Sequence, residues 1–270
     1  MKEEGNMKKV RILEACLFAI LAFSVPFSFG QTVEEHILKG DEYYAQFDDK
    51  KALEEYLLAV NIDPSNYEAL WKTARAYFDL SDLITPEKAG SEEEQIKMYK
   101  EAEKYARLAI QANPNDTWGH FYRSAAMGKR ALLLSKKEQI ALSKAIKAEI
   151  ERAIELDNNN DLAYHALGRW HRRMAEIGGV KRFFGGIIYG SIPKGTFEES
   201  EQYLKKAVEL RPDYINHHLE LGYTYLALKK YDLAEQEFAK CLELPISTSK
   251  DQFYKEEAQR ELEKPKKKET

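Results

Sequence analysis

The run His218-x2-Leu221-Gly222-x2-Tyr225, continued by Ala234-x3-Phe238 and closed by Pro245, spells out one helical hairpin. Small residues stand where two helices must cross closely, Gly222 on the first and Ala234 on the second. Tyr225 and Phe238 fill the gaps beside them, and proline stops the second helix. Working back along the chain, the same code returns as Tyr164-x2-Leu167-Gly168 with Ala207 and Pro212. It returns again as Gly40-x2-Tyr43 with Ala52-x3-Tyr56, Ala59 and Pro64. Aligning the first helices puts Gly40, Ala74, Ser124, Gly168 and Gly222 at one crowded position, spaced by 34, 50, 44 and 54 residues. Against a 34-residue period, repeats two, three and four carry insertions of about 16, 10 and 20 residues.

The intervening segments fit the same plan. Repeat two runs through Leu70-x2-Thr73-Ala74-x2-Tyr77 and a turn-rich Leu83-Ile84-Thr85-Pro86…Gly90-Ser91, and its second helix is expected over 102–112. Repeat three is the most degenerate. It reads as helices over 120–131 and 141–156, with Ile146, Ile150, Ala153 and Ile154 as the apolar stripe of the second. Residues 178–190, rich in glycine and large apolar side chains, fall between the helices of repeat four. Residues 250–263 read as the polar helix that caps an array, and 264–270 as a charged disordered tail. The expected fold is all-α: a right-handed superhelix of about five hairpins, long insertions in repeats two to four, and a C-terminal capping helix, over residues 31–263.

Composition agrees and narrows the function. Only 8 prolines and 14 glycines in 270 residues suit a helical chain, and a net charge of −4 gives no field directed at nucleic acid. Residues 1–30 read as a targeting segment. Met7-Lys8-Lys9-Val10-Arg11 is basic, Ala15 to Phe27 is nearly all apolar, and Ser28-Phe29-Gly30 offers small residues for cleavage before Gln31. The expected location is therefore exported, periplasmic or envelope-associated, with no membrane span after cleavage. The alternative is an uncleaved N-terminal anchor. Cleavage would remove Cys16 and leave Cys241, which takes a small-residue packing position. No disulfide framework is needed.

The spacing W-x2-L-G-x2-Y…A-x3-F…P marks a resemblance to tetratricopeptide repeats, which make binding surfaces. Three further stretches resemble one branch of them, the regulator of microtubule dynamics family. They are Ala145-Ile146-Lys147-x3-Glu151-x-Ala153-Ile154-Glu155-Leu156, Ala166-Leu167-Gly168-Arg169-Trp170 with the long connection after it, and Leu242-Glu243-Leu244-Pro245…Lys250-Asp251-Gln252…Glu257-Ala258. The resemblance spans roughly 33–265. It implies a single helical-repeat domain with a ligand groove, in a family associated with microtubules or organelle membranes and, for some members, with lipid. The export-type segment sets this chain apart as a bacterial-type member, so the fold and the groove carry over and a tubulin role does not.

No Gly-x-Ser-x-Gly, phosphate loop, HExxH or paired-cysteine pattern is present, so no enzyme, cofactor or metal site is expected. His217 and His218 point to different helix faces, and His165 and His171 stand six apart, a poor chelating spacing.

In tetratricopeptide arrays the first helix of each repeat lines the concave face. The corresponding positions here are Trp71, Arg75 and Phe78, then Trp118, Phe121 and Lys129, then His165, Arg169, Arg172 and Arg173, and finally Tyr223, with Ile37, Asp41, Tyr44, Asn216 and Leu219 at the ends. Guanidinium groups pair bidentately with carboxylate or phosphate, and aromatic rings add apolar area beside them. Two readings of the arginines follow: they receive an anionic ligand, or they pair with neighbouring carboxylates such as Glu176. The expected function is a non-enzymatic interaction scaffold that binds protein partners, an anionic peptide among the candidates. The alternative is a binder of an amphiphilic anion such as a phospholipid, with residues 178–196 as a lid or membrane-contact element.

Overall fold

The computed structural model describes residues 31–84, 90–178 and 192–264. The expected targeting segment (1–30), most of the repeat-four insertion and residues 265–270 of the expected tail lie outside them. The described residues form α1 (Val33–Ala45), α2 (Asp49–Ile62), α3 (Tyr67–Asp82), α4 (Ser91–Ala112), α5 (Thr117–Leu132), α6 (Lys136–Leu156), α7 (Asp161–Glu176), α8 (Phe197–Leu210), α9 (Ile215–Ala227), α10 (Tyr231–Glu243) and α11 (Asp251–Leu262). These are five hairpins and a cap, with no strand among the described residues.

Local chemistry sets most helix starts. The side chains of Asp48, Asn66, Asp116, Asn160 and Thr196 each accept a hydrogen bond from a backbone N–H in the first turn of the helix that follows. Ser135 and Glu138 close a full capping box on α6. The turns into α3, α5 and α7 repeat one device: Asp63, Asn113 and Asp157 each accept from the backbone N–H two residues on. The turn into α9 breaks the rule, because Tyr214 stands in the capping position and makes no cap bond.

Packing of the described helices is mainly between neighbours. Buried side chains fall into separate clusters, one joining α1, α2 and α3 through Val33, Ile37, Ala59 and Ala69, another joining α8 to α11 through Leu204, Leu219, Phe238 and Tyr254. No central core exists, as a repeat array requires. The alignment of small residues holds: Ala74 and Ser124 are buried, and added Cβ atoms at Gly40, Gly168 and Gly222 would meet Tyr56, Leu204 and Phe238.

The expected boundaries need two corrections. In repeat two the second helix starts at Ser91, not near 102, so much of the insertion lengthens α4 in place of forming a loop. Glu92, Glu93 and Glu94 in its first turn favour that start by opposing the helix dipole. In repeat three α5 and α6 each begin a few residues earlier than periodicity suggests, because Asp116 and Ser135 cap them there.

Candidate functional site

The expected groove residues all lie on the first helices α1, α3, α5, α7 and α9. Trp71 of α3 stacks on Trp118 of α5 with ring centroids 5.3 Å apart. Tyr122 sits beneath both, at 6.0 Å and 6.1 Å, and meets Phe78 edge-on at 6.3 Å. Phe121 completes the cluster at 6.2 Å from Trp118. These aromatics join repeats two and three, and Trp71, Phe78 and Trp118 keep part of their surface in solvent. Phe121 and His165, expected to line an open groove, are instead buried. So are Ile37, Asn216 and Leu219; Ile37 packs with Ala59 of α2 and Ala69 of α3, and Leu219 lies in the cluster that joins α8 to α11.

Most of the groove cations have internal carboxylates. Arg75 lies 3.7 Å from the Tyr44 ring centroid and 5.2 Å from that of Trp71, donates to the Tyr56 hydroxyl at 2.9 Å, and stands 3.6 Å from Asp41. Lys129 donates to Asp82 at 2.8 Å. Arg169 Nε stands 2.9 Å from Glu220 Oε1, and Arg172 holds Glu220 Oε2 and, at 3.1 Å, Glu176. Pairing with neighbouring carboxylates, Glu176 included, is therefore what the arginines do in this structure. Burial pushes the Glu220 carboxyl up, but Arg169 and Arg172 outweigh it and hold it below the usual carboxylate range. Arg173 stays exposed, and Tyr223 is half-buried beside Arg172, 5.6 Å from its guanidinium.

The histidines divide as helix geometry requires. His217 points inward, where its Nδ1 lies 3.0 Å from His165 Nδ1 and its Nε2 2.8 Å from Asp161. His218 points away, to Glu237 at 2.6 Å and the Pro212 carbonyl at 2.8 Å. Burial first, then mutual repulsion and Arg169, depress His165 well below its ordinary value. His217 is also depressed by burial, which outweighs Asp161. Among the described residues, no group of three or more His, Cys, Asp or Glu is placed to hold a metal ion.

One participant is not among the expected groove residues. The leg between α10 and α11 crosses to repeats one and two, where Ser249 Oγ donates to Asp49 at 2.7 Å. Lys250 Nζ donates to Asp79 at 2.9 Å and reaches Asp82 at 3.3 Å, 4.9 Å from the Phe78 ring centroid. Burial raises the Asp82 carboxyl, but Lys250 and Lys129 more than reverse this and hold it well below the usual range. Tyr44 also donates to Asp79, at 3.3 Å. Asp41 is the one acid among the expected groove positions; Asp79 and Asp82, three apart on α3, are not among them.

The comparisons with known proteins agree with this architecture. A thermophilic TPR protein of Thermus thermophilus superposes with a TM-score of 0.63 at 17% identity, covering 86% of this chain and 99% of that one. Regulator of microtubule dynamics protein 1 of Mus musculus is 29% identical over 227 residues, 84% of this chain and 72% of the relative. Its Caenorhabditis elegans counterpart is 24% identical over 230 residues, 85% of this chain and 99% of the relative. The family described as regulator of microtubule dynamics protein 1-3 matches residues 36–266. With tetratricopeptide-like hairpins throughout that span, the chain belongs to the regulator of microtubule dynamics family.

Proposed function

We propose that this chain is a non-enzymatic scaffold of the cell envelope that binds a protein partner through its concave face. The observation that supports the reading is the ring cluster of Trp71, Phe78 and Trp118 across α3 and α5, each partly exposed, with Tyr223 partly exposed on the first helix of repeat five. Rigid aromatic side chains add contact area at little entropic cost, which suits recognition of an extended or helical segment. Placement in the envelope rests on residues 1–30, which lie outside the described residues.

A photo-crosslinking amino acid separates this face from the rest of the surface. Placed at Tyr223, it should capture the partner in cells. Placed at Leu58, exposed on α2, it should not. Capture from Leu58 and none from Tyr223 would remove the concave face from the proposal.

The amphiphile reading keeps one supporting observation, Arg173, an exposed guanidinium beside Arg169 and Arg172 at the end of α7. Its lid, residues 178–196, falls largely on 179–191, outside the described residues. Lipid mass spectrometry of the purified protein decides between the two: a stoichiometric anionic lipid favours the amphiphile, and its absence favours the protein partner.

A further inference from the structure

The chain's own C-terminal leg reaches α3 beside Phe78, one of the positions assigned to the concave face. Lys250 follows Asp79 by 171 residues and Asp82 by 168, so one buried contact ties the capping end of the array to repeat two. Ser249 ties the same leg to repeat one through Asp49. The leg is otherwise self-contained. Residues 244–248 are non-helical, Pro245, Ile246 and Ser247 are exposed, and Asp251 accepts from the backbone N–H groups of Ser247 and Thr248 at 2.7 and 2.8 Å. Beyond it, α11 packs on α9 and α10 through Tyr254 and Ala258.

Two physical facts make such a clasp suited to release. A buried ion pair gives geometric specificity but little net stability, because desolvation offsets most of the attraction. Apart from this leg the hairpins pack mainly on their neighbours, and such an array can open by small rotations at successive interfaces without losing a core. Separating Lys250 from α3 therefore leaves α11 docked and every hairpin intact.

Building on the concave-face reading above, we propose that the C-terminal leg is a built-in competitor for that face. Lys250 holds the place that a lysine on an extended segment of the partner takes between Asp79 and Asp82. Partner entry and opening of the clasp are then one exchange. The site is set up for this cation: two carboxylates reach it from one helix, the Phe78 ring stands beside it, and Tyr44 donates to the far oxygen of Asp79.

The test uses the full chain with Cys16 and Cys241 replaced by alanine and spin labels at Phe47→Cys and Phe253→Cys, both exposed positions. The inter-label distance should be short and narrow in this background, and longer and broader in Lys250→Met. A synthetic peptide of residues 244–254 should bind Lys250→Met at least tenfold more tightly than it binds the parent chain. The same peptide with norleucine for its lysine should lose that binding. An unchanged distance in a folded Lys250→Met, or equal peptide binding to both chains, overturns the proposal. Should Lys250→Met fail to fold, the parent chain decides: excess peptide must lengthen the distance, and failure to do so overturns it equally. A partner that crosslinks at Tyr223 equally well in both chains keeps the concave-face function and removes the competitor.

Discussion

A Cβ added to Gly222 would lie 2.5 Å from Cε1 of Phe238, so the first and second helices of repeat five meet with no room for even a methyl group. Gly222→Ala should destabilise the protein by about 1–3 kcal/mol, the usual cost of overpacking. Gly222→Leu should part α9 from α10. Phe238→Leu added to Gly222→Ala should recover part of the loss in urea unfolding. Unchanged stability of Gly222→Leu would refute the register of the repeats.

Glu220 is buried and shared by two guanidinium groups, and this makes it more critical than either arginine. Glu220→Ala strands both charges and should cost about 3–5 kcal/mol, as expected when one member of a buried ion pair is removed. Arg169→Ala should cost less, since Arg172 keeps the carboxylate paired, and Arg169→Lys should rescue only partly because an ammonium lacks the planar fork. Equal unfolding midpoints for Glu220→Ala and the parent would show these groups to be solvated and free for a ligand.

The His165–His217 pair predicts acid sensitivity. Both imidazoles are depressed in the folded state by burial, and Arg169, Arg211 and Lys129 around His165 add to the effect. Below about pH 6.5 the unfolded chain binds protons that the folded chain resists. Stability is therefore complete above that pH and falls as the pH drops beneath it. Urea midpoints at pH 7.5 and 5.5 should show this loss, and His165→Asn should show a smaller one. A pH-independent midpoint would contradict the buried, neutral pair.

Export rests on residues 1–30. The full-length protein should leave the cytoplasm and be recovered with Gln31 as its first residue, and a form starting at Gln31 should remain in the cytoplasm. N-terminal sequencing after fractionation reads both outcomes, and intact full-length protein in the cytosol would overturn the proposed location.

The thiol of Cys241 should be inert in the native state. It is buried, its pKa pushed up to about 12 by burial and by Glu237, and its Sγ lies 3.3 Å from the Glu237 carbonyl. In a form starting at Gln31, an aromatic disulfide reagent should modify it only after urea is added. Rapid native labelling would show that α10 opens locally.

The hairpins were written in the sequence because their chemistry is local. A glycine at the crossing, an alanine opposite and an aromatic one turn on all fall within one repeat, so Gly222, Ala234 and Phe238 could be placed from spacing alone. The assignment of Trp71, Arg75, Trp118 and Arg169 to a groove comes from the positions they hold in the tetratricopeptide pattern. The start of α4 at Ser91 was harder to see, since its one mark is a cluster of acids in the first turn.

Only the tertiary structure decided what those inward residues meet. Arg169 finds Glu220 on the next first helix, His165 finds His217, and Lys250 returns across the array to Asp79. Such contacts have no period and no fixed separation along the chain. They depend on how far each repeat rotates on its neighbour, a quantity summed over many small interfaces. The repeat pattern assigns side chains to a groove; only the accumulated geometry shows that Arg75, Lys129, Arg169 and Arg172 stand beside the chain's own carboxylates.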